Sequence, residues 1–178
     1  MALFSNLFID GVKYEKDDVK NKNIYPFNIS SIESLDKLTF SKPVTFLIGE
    51  NGAGKSTFIE ALAIRLRLNP EGGSQNIVFK TTDSHSNLSD YLTVYSSGNL
   101  PKTKYFLRAE SFYNVAAEVQ RLVEEDKFIG LYNAYGGNLL KYSHGESFIK
   151  LVKNRFEPNG LYILDEPEAA LSPLRQMT

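Results

Sequence analysis

Cysteine is absent from this 178-residue chain, which excludes a disulfide scaffold and a thiolate zinc site. No apolar run approaches the roughly 20 residues that a membrane-spanning helix needs. The opening Met1-Ala2-Leu3-Phe4-Ser5-Asn6-Leu7-Phe8 has neither the basic head nor the small-residue cleavage site of a secretory signal. A cytoplasmic protein with no membrane segment is therefore expected. Net charge is also lacking: at −1 there is no global electrostatic case for nucleic acid. Lys13, Lys16, Lys20 and Lys22 alternate with Asp10, Glu15, Asp17 and Asp18, a mixture that reads as a solvated face. Neither an internal repeat nor a low-complexity segment is found. What remains is ordinary for one globular domain, with 42% hydrophobic and 23% charged residues.

Apolar periodicity gives the element order. Short runs at Leu7-Phe8-Ile9 and Lys37-Leu38-Thr39-Phe40, the first closed off by Asp10-Gly11, suggest antiparallel strands. Val44-Thr45-Phe46-Leu47-Ile48 is near-continuously apolar, as a buried parallel strand should be. A helix is expected from about Lys55 to Leu68, where Phe58, Leu62 and Leu66 share a face and Asn69-Pro70 ends it. Further strands are expected at Ile77–Phe79, Tyr91–Tyr95 and Tyr105–Leu107, then a helix from Ser111 to Glu125 with Val115, Val119, Leu122 and Val123 on one side. The last pair is a helix from Gly145 to about Phe156 and a strand Leu161–Asp165, joined by Pro158-Asn159-Gly160.

Three segments carry chemistry. Gly49-Glu50-Asn51-Gly52-Ala53-Gly54-Lys55-Ser56 fits Gly-x-x-x-x-Gly-Lys-Ser, in which glycines let successive backbone N–H groups wrap phosphate oxygens. Lys55 supplies charge for the β- and γ-phosphates, the Ser56 hydroxyl ligates magnesium, and Thr57 donates to the α-phosphate. The helix beginning there adds its positive end. Asp165 closes an apolar strand, the edge at which open α/β sheets bind ligands. It is suited to holding Mg²⁺, and Glu166 beside it to orienting and deprotonating a water. Glu168 reads as a solvated first-turn residue. Ser143-His144-Gly145-Glu146 has two readings: an ordinary capping box, or a helix start that exposes N–H groups and a hydroxyl to an anion.

On these segments the chain resembles the ATP-binding-cassette ATPases, whose signature motif is Leu-Ser-Gly-Gly-Gln. Tyr142-Ser143-His144-Gly145-Glu146 keeps the serine and the second glycine and departs at three positions. More closely it resembles bacterial predicted ATPases of AAA/ABC type. That likeness is carried by Tyr25-Pro26-Phe27, Phe106-Leu107-Arg108-Ala109-Glu110-Ser111-Phe112 and Ser143-His144-Gly145-Glu146-Ser147-Phe148, and it spans most of residues 24–176. The resemblance implies an α/β P-loop NTPase of ABC type. Its mostly parallel central sheet would carry an N-terminal antiparallel β subdomain and a helical segment before the signature. It implies Mg²⁺, ATP as substrate, and a head-to-tail homodimer in which each ATP lies between one cradle and the partner's Ser143, Gly145 and Glu146. Glu110 would take the Q-loop place, with Gln75 as competitor; Ala170-Leu171-Ser172-Pro173 falls at the D-loop, and Tyr25 or Phe27 would reach adenine or the core.

Relatives of this kind carry a histidine on a strand after the D-loop. Here the two histidines, His85 and His144, both precede Asp165. A single domain, residues 1–178, is expected, incomplete at its C-terminal side and poor in nucleotide binding and turnover as written. Lys55 and Ser143 are 88 positions apart, too close for the long coiled-coil insertion of chromosome-maintenance relatives. No Asn/Thr-Lys-x-Asp guanine reader comes after the cradle. The leading expectation is a non-transporter ATPase powering an unidentified process, with a partner protein or nucleic acid left open. The alternatives are an ATP-gated dimerisation module with little turnover and the nucleotide-binding subunit of a transporter.

Overall fold

The computed structural model describes residues 7–74, 86–125 and 129–172. Its strands are β1 (Ile9–Tyr14), β2 (Lys37–Thr39), β3 (Gly73–Ser74), β4 (Leu92–Ser96), β5 (Thr103–Arg108) and β6 (Gly160–Asp165). Its helices are α1 (Ser30–Ser34), α2 (Lys55–Arg65), α3 (Phe112–Glu124), α4 (Ile129–Ala134) and α5 (His144–Arg155). The strand expected at Ile77–Phe79, together with Gln75, His85 and Pro173, lies outside the described residues. Among the described residues no helix is long and apolar enough to cross a membrane.

The chain divides into two units. The first, described over 7–70 and 86–101, is built on an antiparallel sheet in the order β2-β1-β4. Asp10-Gly11 does not break β1 as the sequence suggested. The strand runs through it with a register shift between Ile9 and Gly11, where a side chain at Gly11 would meet the Leu38 carbonyl at 2.5 Å. Glycine here lets a neighbouring backbone approach closely. Val12, Tyr14 and Leu92 are buried, and α2 contributes Phe58, Ala61, Leu62 and Ala63 to the same core. The interleaved charges pair locally, Lys13 with Glu15 and Lys22 with Asp17.

One expectation fails in this unit. Val44–Ile48 forms no strand, and Val44, Phe46 and Ile48 are 67%, 80% and 93% exposed. A strand exists only against a partner backbone, and among the described residues none forms a ladder with this segment. The mostly parallel central sheet is corrected accordingly: the described strands form two three-stranded sheets, and β5–β6 is the parallel pair among them.

The second unit, described over 71–74, 102–125 and 129–172, holds the order β3-β5-β6. Tyr105 and Leu107 point from β5 into a cluster that takes Phe112 and Val115 from α3 and Phe148 and Leu151 from α5. The apolar spacing of both helices puts these residues on one stripe. Burial pushes the Tyr105 hydroxyl well above its usual pKa. Leu151 is fully buried, so Leu151→Ala is expected to cost about 2–5 kcal/mol, measured by chemical denaturation. The helix bearing Ser143 should lose protection from hydrogen exchange first.

Candidate nucleotide-binding and hydrolytic site

The glycine loop is shaped by backbone that other residues adopt with difficulty. Gly52 and Gly54 have φ of 80° and 84°, the left-handed region that glycine enters without cost from a Cβ. At Gly54 a Cβ would also lie 3.0 Å from both Ile29 Cγ2 and Ser31 Oγ. The Ser31 hydroxyl donates to the Ala53 carbonyl, so α1 props the loop from outside the motif. Lys55 Nζ donates to the carbonyls of Gly49 at 2.8 Å and Glu50 at 2.9 Å, folding its charge back over the loop. Gly54 is the N-cap of α2, and the first turn of α2 carries no acidic residue. A helix start of this kind favours an anion.

Sequence reasoning missed Ser31, which no local spacing announces. Of the two aromatics considered for adenine, Phe27 is core, packed edge-on against Tyr91 at 5.2 Å. Tyr25 stays exposed, its hydroxyl 3.2 Å from Thr57 Oγ1.

The remaining candidates belong to the second unit. β5 and β6 run in parallel with Arg108 opposite Asp165, so both strands deliver a charged residue at their C-terminal ends. Asp165 is buried, and Arg108 Nε lies 3.5 Å from its Oδ2. Glu110 stands exposed in the turn after β5, 3.5 Å from Arg108 Nη2. Glu166 is exposed at φ 48°, ψ 48°, the N-cap of a 3₁₀ turn over Pro167–Ala170. Left-handed backbone is unusual for glutamate; it turns the chain out of β6 into the 3₁₀ turn. Arg108 carries no role in the sequence reading, although it closes an apolar strand just as Asp165 does.

At the head of α5, the Glu146 carboxylate accepts from the Ser143 N–H at 3.1 Å and from the Ser143 hydroxyl at 2.6 Å. The capping box is therefore formed. Gly145 lies next, in the first turn. His144 stacks on Tyr113, with ring centroids 6.0 Å apart, and meets the edge of Phe112 at 5.5 Å. These contacts tie the helix start at Ser143 to the stretch just after Glu110.

Among the described residues no group of three or more His, Cys, Asp or Glu could hold a metal ion by itself. The candidate donors, the Ser56 hydroxyl and the Asp165 carboxylate, are hard oxygens. They suit Mg²⁺, which keeps waters and takes further ligands from phosphates.

The model of a family described as AAA domain matches residues 22–158, from before the cradle to the end of α5. The chain belongs to this AAA domain family. Its members are P-loop ATPases of α/β fold, so nucleotide binding by this AAA domain follows at that level. Asp165 and Glu166 lie beyond the matched residues. No curated protein and no solved structure matches the chain.

Proposed function

We propose that this AAA domain binds and hydrolyses ATP as an ATP-binding-cassette-type head, paired head-to-tail with a second copy, in the cytoplasm. The observation that carries the reading is the cradle: two left-handed glycines, an anchored loop, and Lys55 at the opening of α2. In this reading Gly49, Asn51, Gly52, Ala53 and Gly54 wrap the triphosphate with backbone N–H groups. Lys55 meets the β- and γ-phosphates and Thr57 the α-phosphate. Ser56 and Asp165 would hold Mg²⁺, which when bound neutralises charge on the phosphates. Glu166 orients a water and takes its proton, and Glu110 sits in the Q-loop place. Ser143, Gly145 and Glu146 are offered to the nucleotide of the other copy. Residues 1–178 belong to a single ATPase domain, and the process powered is left unassigned.

A second reading, nucleotide-gated pairing with little turnover, draws support from the Ser143 hydroxyl being already donated to Glu146. Light scattering of the full-length protein with a non-hydrolysable ATP analogue and magnesium tests the pairing common to both. Doubling of mass is expected, and Ser143→Arg should abolish it while analogue binding persists. Phosphate release from ATP should fall with it. A mass that stays that of one chain removes the paired mechanism.

A further inference from the structure

Arg108 and Asp165 are fixed opposite each other by the β5–β6 register. The Asp165 side chain is 7% exposed, that of Arg108 22% and that of Glu110 82%. A carboxylate so far from water is costly without a cation or donors to compensate it, and Arg108 is a cation held against it. The guanidinium reaches two carboxylates at once, each at 3.5 Å. Both separations exceed the roughly 2.7–2.9 Å of a direct charge-assisted hydrogen bond. The guanidinium thus stands between a buried carboxylate and a well-solvated one.

Resting on the reading of Asp165 as a metal-holding carboxylate, we infer that Arg108 is a positioning residue that holds the Asp165 carboxylate at the strand end and competes with a divalent cation for it. When Asp165 turns to a cation, the guanidinium shifts towards Glu110. The Q-loop-like residue is then the acceptor of Arg108, and the ends of β5 and β6 respond together.

The test is Mn²⁺ titration of the full-length, nucleotide-free protein, monitored by the electron paramagnetic resonance of free Mn²⁺. Removing one positive charge a few ångströms away is expected to tighten Mn²⁺ binding about tenfold in Arg108→Met. Arg108→Lys should stay within about twofold of wild type, since it restores the charge. Adding Asp165→Asn to Arg108→Met should erase the gain. General damage to the fold would weaken binding, not strengthen it, and Arg108→Gln substitutes if the methionine variant does not fold. Affinity unchanged or weaker in Arg108→Met and Arg108→Gln overturns the inference. If Asp165→Asn still abolishes binding in that case, only the role of Arg108 falls. If Asp165→Asn leaves Mn²⁺ binding intact throughout, the metal-holding reading of Asp165 falls with it.

Discussion

Lys55→Ala should weaken ATP binding by about a hundredfold or more, read by calorimetry on the full-length protein. Two losses combine. A hydrogen bond to a charged group contributes about 1.5–3 kcal/mol, and the ammonium is read as meeting both the β- and γ-phosphates, so roughly 3 kcal/mol or more disappears. At about 1.4 kcal/mol per decade this is the stated factor. The loop also loses the bridge from Lys55 Nζ to the carbonyls of Gly49 and Glu50. Lys55→Arg separates the two, because it restores the charge but not the compact ammonium that fits between two adjacent carbonyls. Binding by Lys55→Ala within about threefold of wild type would remove the cradle from the proposal. Gly54→Val should fail by another route, since its φ of 84° and the contact with Ile29 both exclude a branched side chain.

The parts of this fold that were legible in the sequence are those whose information is local. The spacing of Phe58 and Leu62 and of Val115 and Val119 placed α2 and α3 within a few residues of their ends, because a helix closes its own hydrogen bonds. Strands are different. Leu161–Asp165 and Val44–Ile48 read alike as apolar runs, yet β6 pairs with β5 whereas Val44, Phe46 and Ile48 face solvent. Strand propensity measures fitness for a pleated, half-buried surface and does not name the neighbour that supplies one. The site divides in the same way. Gly49–Thr57 stands out by its spacing, and Asp165-Glu166 by its place at the end of an apolar run. Ser31 and Arg108 act on residues far away in sequence, and no pattern along the chain records such a contact. Ser143 stood between two readings, and the structure forms the capping box without excluding an anion at the same helix start.

Glu166→Gln is expected to reduce phosphate release by at least about a hundredfold while leaving ATP affinity within a few-fold of wild type. Loss of a positioned general base removes roughly 10²–10⁴ in rate, and glutamine keeps the length and shape of the side chain. The backbone sharpens the argument. Glu166 occupies the left-handed region at φ 48°, ψ 48°, which costs a non-glycine residue on the order of 1 kcal/mol. Glycine would occupy the same φ and ψ with less strain. If the strained backbone served only to turn the chain into Pro167, Glu166→Gly would leave phosphate release intact. If it serves to aim the carboxylate, Glu166→Gly should be no less stable than wild type to within about 1 kcal/mol and as inactive as Glu166→Gln. Single-turnover phosphate release beside chemical denaturation decides between them. Equal rates for wild type and Glu166→Gln would defeat the hydrolase and leave nucleotide-gated pairing as the function, because binding at Lys55 and capping at Ser143 need no base.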